Sequence, residues 1–218
     1  MGIKAHPKAV RLAINETWSS RWFQRIAGSG LAKYKENLKE DYALRVYLDK
    51  KLRHASVNEV DIKRSPKQLT VVIKTARPGL IIGKGGKDID ILKKDIINLV
   101  SANNSVKIDI EEVRKPETRA KLIAQNIADQ IERRFPYRRA MKKTLEKIII
   151  GNEIKGVKIK VAGRLNGADI ARSEGLSKGT IPLQTFSAKI DYYQEVARTT
   201  YGAIGIKVWV YRDDSFKD

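Results

Sequence analysis

The sequence Ala76-Arg77-Pro78-Gly79-Leu80-Ile81-Ile82-Gly83-Lys84-Gly85-Gly86-Lys87 is the strongest indication of how this chain folds. It contains a Gly-x-x-Gly unit that follows two isoleucines and precedes a helical pattern. Glycines at both ends of the unit allow φ angles that are closed to other residues, so a sugar-phosphate backbone can approach the main chain closely. The two lysines supply positive charge for phosphates. The stretch therefore indicates nucleic-acid binding, with Gly83, Lys84, Gly85, Gly86 and Lys87 as candidate contact residues.

The sequence on both sides of this loop alternates between helix and strand patterns. Residues 31–52 have the spaced apolar positions of an amphipathic helix. Residues 57–63 and 68–75 are typical of two strands joined by a turn. A short helix, the glycine loop, a helix over residues 87–100 and a half-buried strand over residues 106–110 follow. This order predicts an α/β domain over residues 31–113.

The remainder of the chain predicts a second α/β domain, over residues 114–212. Pro116 suits the first turn of a helix that runs to about Arg134, and a second helix begins at Tyr137. Strands are predicted over residues 156–163, 186–193, 196–200 and 204–211, separated by glycine turns. The fold class is therefore α+β. Residues 1–30 are expected to form an extended basic N-terminal arm, and residues 213–218 a short tail.

The helix that begins at Tyr137 concentrates positive charge on one face. At helical spacing this face carries Arg138, Arg139, Lys142, Lys143 and Lys147. Met141, Leu145 and Ile148 point the other way, toward a core. Only Glu146 interrupts the cations, so few local ion pairs can form and the repulsion is uncompensated unless phosphates bind. We therefore expect this face to contact RNA.

Composition supports a polyanionic partner and excludes several other classes. The chain has 44 Lys and Arg against 25 Asp and Glu, a formal net charge of +19. Such a chain seeks polyanions. No apolar run approaches the roughly 20 residues that span a bilayer, and the N-terminus lacks a signal-peptide core. We expect a cytoplasmic protein without a membrane partner.

Chemistry-bearing residues are scarce. The chain has no cysteine, and its two histidines, His6 and His54, are too few and too far apart for a convincing zinc site. It also lacks the glycine-rich nucleotide loop that ends in Gly-Lys-Ser/Thr. We therefore expect no metal, no cofactor, no small-molecule substrate and no enzymatic activity.

The N-terminal arm interleaves arginine with aromatic residues. Trp18 and Trp22 either stack on bases or anchor the arm to its own domain, and the sequence does not decide between the two. Basic residues in the arm and elsewhere are further candidates for RNA contact. These candidates are Lys4, Lys8, Arg11, Arg21, Lys143, Lys147, Arg164 and Arg172.

Several motifs in fixed order carry a family resemblance. They are residues 1–23, the loop over residues 76–86, Glu112-Val113-Arg114-Lys115-Pro116-Glu117, residues 137–142, Gly163-Arg164-Leu165 and residues 199–209. Together they resemble the family of ribosomal protein three of the small subunit, in its bacterial or organellar form, and the first domain resembles a type II KH domain. The resemblance covers nearly the whole chain. Residues 24–30 look like an insertion relative to the family, and the chain stops without the longer basic tail of many members.

The resemblance implies a function, a set of partners and a role for particular residues. It implies a structural protein of the small-subunit head that binds small-subunit rRNA and helps to place and unwind mRNA where the message enters. It implies that Arg138, Arg139 and Lys142 contact this mRNA. The implied protein neighbours are ribosomal proteins ten and fourteen, with proteins four and five near the mRNA entrance.

Two other classes of function compete with this interpretation. A free-standing KH-type regulator of RNA could use the same glycine loop, but the second domain and the basic arm would then lack a reason. A nucleic-acid-cleaving enzyme would need a defined lysine nucleophile or a carboxylate–metal cluster, and the sequence singles out neither.

Overall fold

The chain folds into two compact units. The structure, a computed structural model, describes residues 4–24, 30–65, 68–100, 105–150 and 154–212. The glycine-loop unit comprises Trp18–Arg114, and the two-helix unit comprises Met1–Thr17 together with Lys115–Asp218. The segment that we predicted as one arm is thus divided between the two units after Thr17. The predicted tail over residues 213–218 and most of the segment that looks like an insertion, residues 25–29, lie outside the described residues.

The glycine-loop unit has the predicted order of elements from its first helix onward, preceded by a two-residue strand that was not predicted. In chain order these are β1 (Ser20–Arg21), α1 (Gly30–Lys51), β2 (Val57–Ser65), β3 (Gln68–Thr75), α2 (Gly79–Ile82), α3 (Lys87–Leu99) and β4 (Ser105–Glu112). The strands form one sheet in the order β1-β2-β3-β4, in which β2 and β3 are antiparallel and the other two pairs are parallel. The predicted hairpin of β2 and β3 and the predicted helix after the glycine loop are confirmed. Pro66 and Lys67, in the turn of this hairpin, lie outside the described residues.

The core of the glycine-loop unit lies between its two longer helices and its sheet. Leu44 and Leu48 of α1 pack with Leu92 and Ile96 of α3, and all four are at most 2% exposed. Ile81 of the short helix α2 is 1% exposed and belongs to the same cluster. The α2 helix is therefore anchored by one isoleucine, which fixes the start of the glycine loop on the core.

The two-helix unit contains two helices and a second sheet. Its elements are α4 (Ala120–Glu132), α5 (Tyr137–Ile150), β5 (Gly156–Gly163), β6 (Arg172–Gly179), β7 (Ile190–Thr199) and β8 (Gly202–Tyr211). The sheet order is β6-β5-β8-β7, with every neighbouring pair antiparallel. Apolar side chains of both helices and the inner side chains of β5 and β8 form one core. The α+β fold class is confirmed.

Helix α4 begins later than predicted. Pro116–Thr118 forms a separate 3-10 turn, and α4 starts at Ala120, whose backbone N–H donates to the Asp191 carboxylate at 2.8 Å. A carboxylate that accepts from a free N–H of the first turn stabilises a helix N-terminus. The cap comes from a residue distant in sequence, so local patterning could not locate it.

The strand prediction for the last third of the chain was partly wrong. Residues 190–199 form one continuous strand, not two, because β7 pairs with β8 along its whole length. Residues 172–179 form a strand that we did not predict. This strand, β6, lies at the sheet edge and pairs only with β5. Its sequence, Arg-Ser-Glu-Gly-Leu-Ser-Lys-Gly, has a single apolar side chain, so it lacks the alternation that identifies a strand.

Candidate nucleic-acid interface

The glycine loop joins α2 to α3 through a backbone that only glycine accepts easily. Gly83, Gly85 and Gly86 have φ of +71°, +65° and +78°, in the left-handed region. Lys84 and Lys87 are exposed on either side of this turn. The segment before the loop is fixed by Thr75, whose hydroxyl donates to the Ala55 carbonyl at 2.6 Å and accepts from the Arg77 amide at 3.1 Å. The loop is therefore a rigid, exposed turn, and the ammonium groups of its two lysines are open to solvent.

An acidic residue lies against this loop. A Cβ built on Gly83 would meet the Asp88 carboxylate oxygen at 2.1 Å, so the first turn of α3 packs directly on the glycine. A Cβ on Gly85 or Gly86 would meet nothing within 4 Å. Gly83 is thus needed for space and for backbone conformation, while Gly85 and Gly86 are needed for conformation alone. The outer side of the turn is open to a ligand.

Helix α5 presents the predicted cationic face. Met141 and Ile148 are 1% and 3% exposed in the core, as the periodicity indicated. The opposite side is an open groove of about 560 Å³, lined by Arg138, Arg139, Lys142, Lys143 and Glu146. The structure thus brings these cations together on one surface, and Lys147 is exposed on the same helix.

Arg138 is not a free cation of this groove. Its Nε and Nη2 donate to the two carboxylate oxygens of Glu174 at 2.9 and 2.6 Å. The Arg138 bond and a second bond from Tyr137 lower the pKa of Glu174 to about 2, and the carboxylate raises the pKa of Arg138. Glu174 comes from the unpredicted strand β6, so the pattern of residues along α5 could not identify it as the partner of Arg138.

Arg11 does not belong to the candidate RNA contacts, and this prediction was wrong. Its side chain is 0% exposed. The guanidinium donates to five backbone carbonyls, those of Pro7, Pro182, Leu183, Thr185 and Ala188, at 2.8 to 3.4 Å. All five acceptors lie within the two-helix unit. Nε and Nη1 each donate to one carbonyl, and the two N–H of Nη2 are shared among the other three, so the residue holds its own unit together.

The other candidates differ in their exposure and in their partners. Lys4, Arg21 and Arg172 are exposed, and the Arg21 Nε donates to the Trp18 carbonyl at 3.4 Å. Lys8 pairs with Asp191 at 3.0 Å. Burial by itself would raise the pKa of Asp191, but the charges of Lys8 and Arg212 and the hydrogen bond from the Ala120 amide outweigh burial and lower this pKa. Arg164 donates to the carbonyls of Ala168 and Tyr201 and to the Asp169 carboxylate, and so braces its own loop.

The two tryptophans of the predicted N-terminal arm have different surroundings. The Trp22 indole N–H donates to the Asp41 carboxylate at 2.8 Å, and its ring lies 5.4 Å from that of Tyr34. Trp22 therefore anchors its segment to the glycine-loop unit, which is one of the two alternatives left by the sequence. Trp18 is 65% exposed, and its side chain is accessible to a partner.

Within the five described ranges, no group of three His, Asp or Glu side chains could hold a metal ion. In the part of the chain that the structure describes, no helix has the length and apolar character needed to cross a membrane.

Comparison with known proteins identifies both units. The family model described as "KH domain" matches residues 43–118, and the one described as "Ribosomal protein S3, C-terminal domain" matches residues 127–210. The chain is 47% identical over 215 residues to "Small ribosomal subunit protein uS3" of Chromobacterium violaceum, covering 98% of this chain and 88% of that protein. It is 45% identical over 214 residues to the protein of the same name from Exiguobacterium sibiricum, covering 98% and 94%. For that of Methylococcus capsulatus the identity is 44% over 218 residues, covering 100% and 94%.

Proposed function

Since the chain belongs to the family of small ribosomal subunit protein uS3, we propose that it binds small-subunit rRNA in the cytoplasm and lines the channel through which mRNA enters the subunit. It is an RNA-binding ribosomal protein and not an enzyme. The observation that carries the mRNA proposal is the cationic groove of α5.

The groove suits the handling of an RNA backbone. Arg139 and Lys142 lie on the exposed side of α5, whose opposite side is fixed in the core by Met141 and Ile148. A rigid wall of charge binds phosphates without ordering a flexible segment first, so little conformational entropy is lost on binding. Such a wall favours separated strands of a structured message while translocation supplies the work. No nucleotide hydrolysis by this chain is needed.

Arg138 takes part in a different way from its neighbours. Glu174 holds its guanidinium in a bidentate pair, which fixes its position and partly neutralises its charge. We propose that Arg139 and Lys142 give most of the initial attraction to mRNA, and that Arg138 contributes a positioned contact.

The glycine loop is the second proposed RNA contact. Its cations, Lys84 and Lys87, are exposed, and the outer side of Gly85 is open. The nearby Asp88 carboxylate reduces the positive potential at the loop. We propose that the loop holds a phosphate backbone through charge and close approach, without reading bases.

The remaining candidates are proposed as rRNA contacts, Lys8 and Arg164 with charges that also pair within the chain, and the others through exposed side chains. These candidates are Lys4, Lys8, Arg21, Lys143, Lys147, Arg164 and Arg172. The proposed protein neighbours are ribosomal proteins ten and fourteen of the small subunit, with proteins four and five near the mRNA entrance.

The proposal is tested with the double variant Arg139→Ala and Lys142→Ala in reconstituted small subunits. The matched control is Arg133→Ala with Arg134→Ala, which removes the same charge from exposed positions outside the groove. We expect normal assembly of both variants, and slower translation by the first variant alone on a message with a stable hairpin. Loss of assembly by the first variant would assign these residues to rRNA. Equal effects of the two variants would contradict a specific role of the groove.

Crosslinking in growing cells tests the broader assignment. Dominant small-subunit rRNA, with an mRNA fraction attached at Arg139 and Lys142, is the expected result. A scatter of regulatory transcripts without rRNA would instead indicate a free-standing KH regulator.

A further inference from the structure

The sheet of the two-helix unit has an outer face, opposite the helices, that the function described above does not use. On β5, Val157, Ile159 and Val161 point to the helices and are at most 2% exposed. Side chains alternate along a strand, so Lys158 and Lys160 point to the outer face. On β8, the inward Ile206 and Val208 place Lys207 on the same outer face by the same alternation.

Every charged side chain that the four strands place on this face is positive. Residues paired across antiparallel strands share a face, so the register extends the assignment to β6 and β7. The outward charges are those of Lys158, Lys160, Arg198 and Lys207. The other outward residues of the strands are small, aromatic, aliphatic or amide side chains.

Two central cations of the outer face lie opposite each other on neighbouring strands. Lys160 lies directly opposite Lys207 in the register of β5 and β8. Among the described residues, no carboxylate lies within ion-pair distance of either lysine. Like charges directly across a sheet are destabilising. The fold therefore carries a repulsion here that a bound polyanion would remove.

A further lysine adds to this concentration of charge. Burial, then the neighbouring cations Lys4 and Lys160, lower the pKa of Lys158. The Lys158 ammonium also lies 5.8 Å from the centre of the Trp209 ring. The His6 ring packs edge-on against the ring of Tyr192, with the ring centres 4.9 Å apart, so the N-terminal segment that carries Lys4 lies beside these strands.

Half of the outer face is covered and half is open. Tyr192 and Trp209 are 7% and 8% exposed, in a small apolar cluster with Leu183 of the loop that Arg11 holds. Beyond this cluster the face continues through Lys160 and Lys207 to Ala162 and Gly205, paired with each other. Small side chains next to lysines leave room for a backbone to lie flat on the sheet.

We propose that the open part of this face, around Lys4, Lys158, Lys160 and Lys207, is a separate RNA-binding surface that holds the phosphate backbone of a structured RNA. The choice of RNA over an acidic protein segment rests on the proposed function and on chemistry. The aromatic side chains that could anchor a peptide are buried in the apolar cluster, while hydroxyl and amide groups of Ser173 and Gln194 remain beside the lysines for ribose hydroxyls.

The test compares two charge-reversal variants of the full chain. Lys160→Glu with Lys207→Glu alters the face, and Lys178→Glu with Lys189→Glu makes the same change of charge at exposed positions outside it. The probe is a labelled RNA hairpin with a long stem, titrated at several salt concentrations, with polyglutamate as a competitor. We expect the first variant to bind about ten-fold or more weakly than the control. Its log–log salt slope should be smaller by about 1.4 to 1.8, the value for two lost phosphate contacts.

Three results would overturn the proposal. They are equal losses in both variants, an unchanged salt slope, and displacement of the hairpin by polyglutamate at equal charge concentration. Lys160→Gln with Lys207→Gln removes charge without reversal, so an equal melting temperature with a weaker affinity excludes misfolding as the cause. The groove variant Arg139→Ala with Lys142→Ala separates the two proposals. If it impairs hairpin unwinding in reconstituted subunits while the sheet variant binds like its control, only the outer-face proposal fails.

Discussion

Replacing Arg11 with alanine should destabilise the two-helix unit strongly, although the sequence alone suggested an RNA contact. The substitution leaves five backbone carbonyls without their donor. Three of these bonds are partly buried, so water can replace part of them. The bonds to Ala188 and Pro7 are buried. At about 1.5–3 kcal/mol for each hydrogen bond with a charged donor, these two give a loss of about 3–6 kcal/mol.

A loss of this size is a large fraction of the stability of a typical domain. The assay is urea unfolding followed by hydrogen exchange in peptides of β8, which reports on the two-helix unit. Arg11→Lys keeps the charge but lacks the planar fork, so we expect it to recover only part of the stability. Arg21→Ala, at an exposed arginine, is the control and should unfold like the unaltered chain. An Arg11→Ala variant of unchanged stability with weakened RNA binding would refute the structural role.

Three further predictions concern the glycine loop and two carboxylates. Gly85→Ala should lower the free energy of unfolding, measured in urea, by about 1–2 kcal/mol because of the positive φ alone. Gly83→Ala should lower it by about 1–3 kcal/mol more, because the new methyl group overpacks against Asp88. Equal losses in the two variants would contradict the close packing at Gly83. The pKa of the Glu174 carboxyl, measured by NMR, should be about 2 in the unaltered chain and close to its ordinary value of 4.5 in Arg138→Ala. Because the pKa is lowered by the pair with Arg138, the stabilisation from this pair is complete above pH 4.5 and is lost as the pH falls toward 2. Identical titration midpoints in the two proteins would exclude the pair in solution. The pKa of Asp191 is also lowered, so its contribution to stability is present above its ordinary pKa of 3.8 and is lost as the pH falls further. Asp191→Asn should therefore reduce the fall of the free energy of unfolding at acid pH. An unchanged dependence of this free energy on pH would contradict the prediction.

Periodicity located the elements that carry a strong apolar pattern. Helix α5 is an example, because its buried positions recur at helical spacing and leave the cations on the other side. The edge strand β6 was missed because only Leu176 is apolar, and its pairing with β5 is set by the rest of the sheet. The single strand β7 was divided because Gln194 and Glu195 interrupt its apolar residues. Tertiary pairing, which a local window does not contain, decided both strands.

The site residues follow the same rule. The glycine loop could be predicted because three positive φ angles in a short turn require a local motif of glycines. The roles of Arg11 and Arg138 could not be predicted from local sequence, since Ala188 lies 177 residues from Arg11 and Glu174 lies 36 residues from Arg138. A residue type that suits RNA equally suits a cradle of carbonyls or a carboxylate, and only the fold distinguishes these surroundings.

This ambiguity changes how the net charge of +19 should be interpreted. The side chain of Arg64, 7% exposed, bonds the carboxylates of Glu40 and Asp41 at 2.7 and 2.6 Å, so its charge serves the glycine-loop unit itself. Arg139 and Lys160, by contrast, are exposed cations. Loss of a buried arginine leaves unpaired groups behind and weakens the fold, whereas loss of an exposed cation removes a phosphate contact and little else. Weaker RNA binding by an Arg11 or Arg64 variant is therefore expected to follow from unfolding, and only variants such as those of Arg139 and Lys160 test an RNA surface directly.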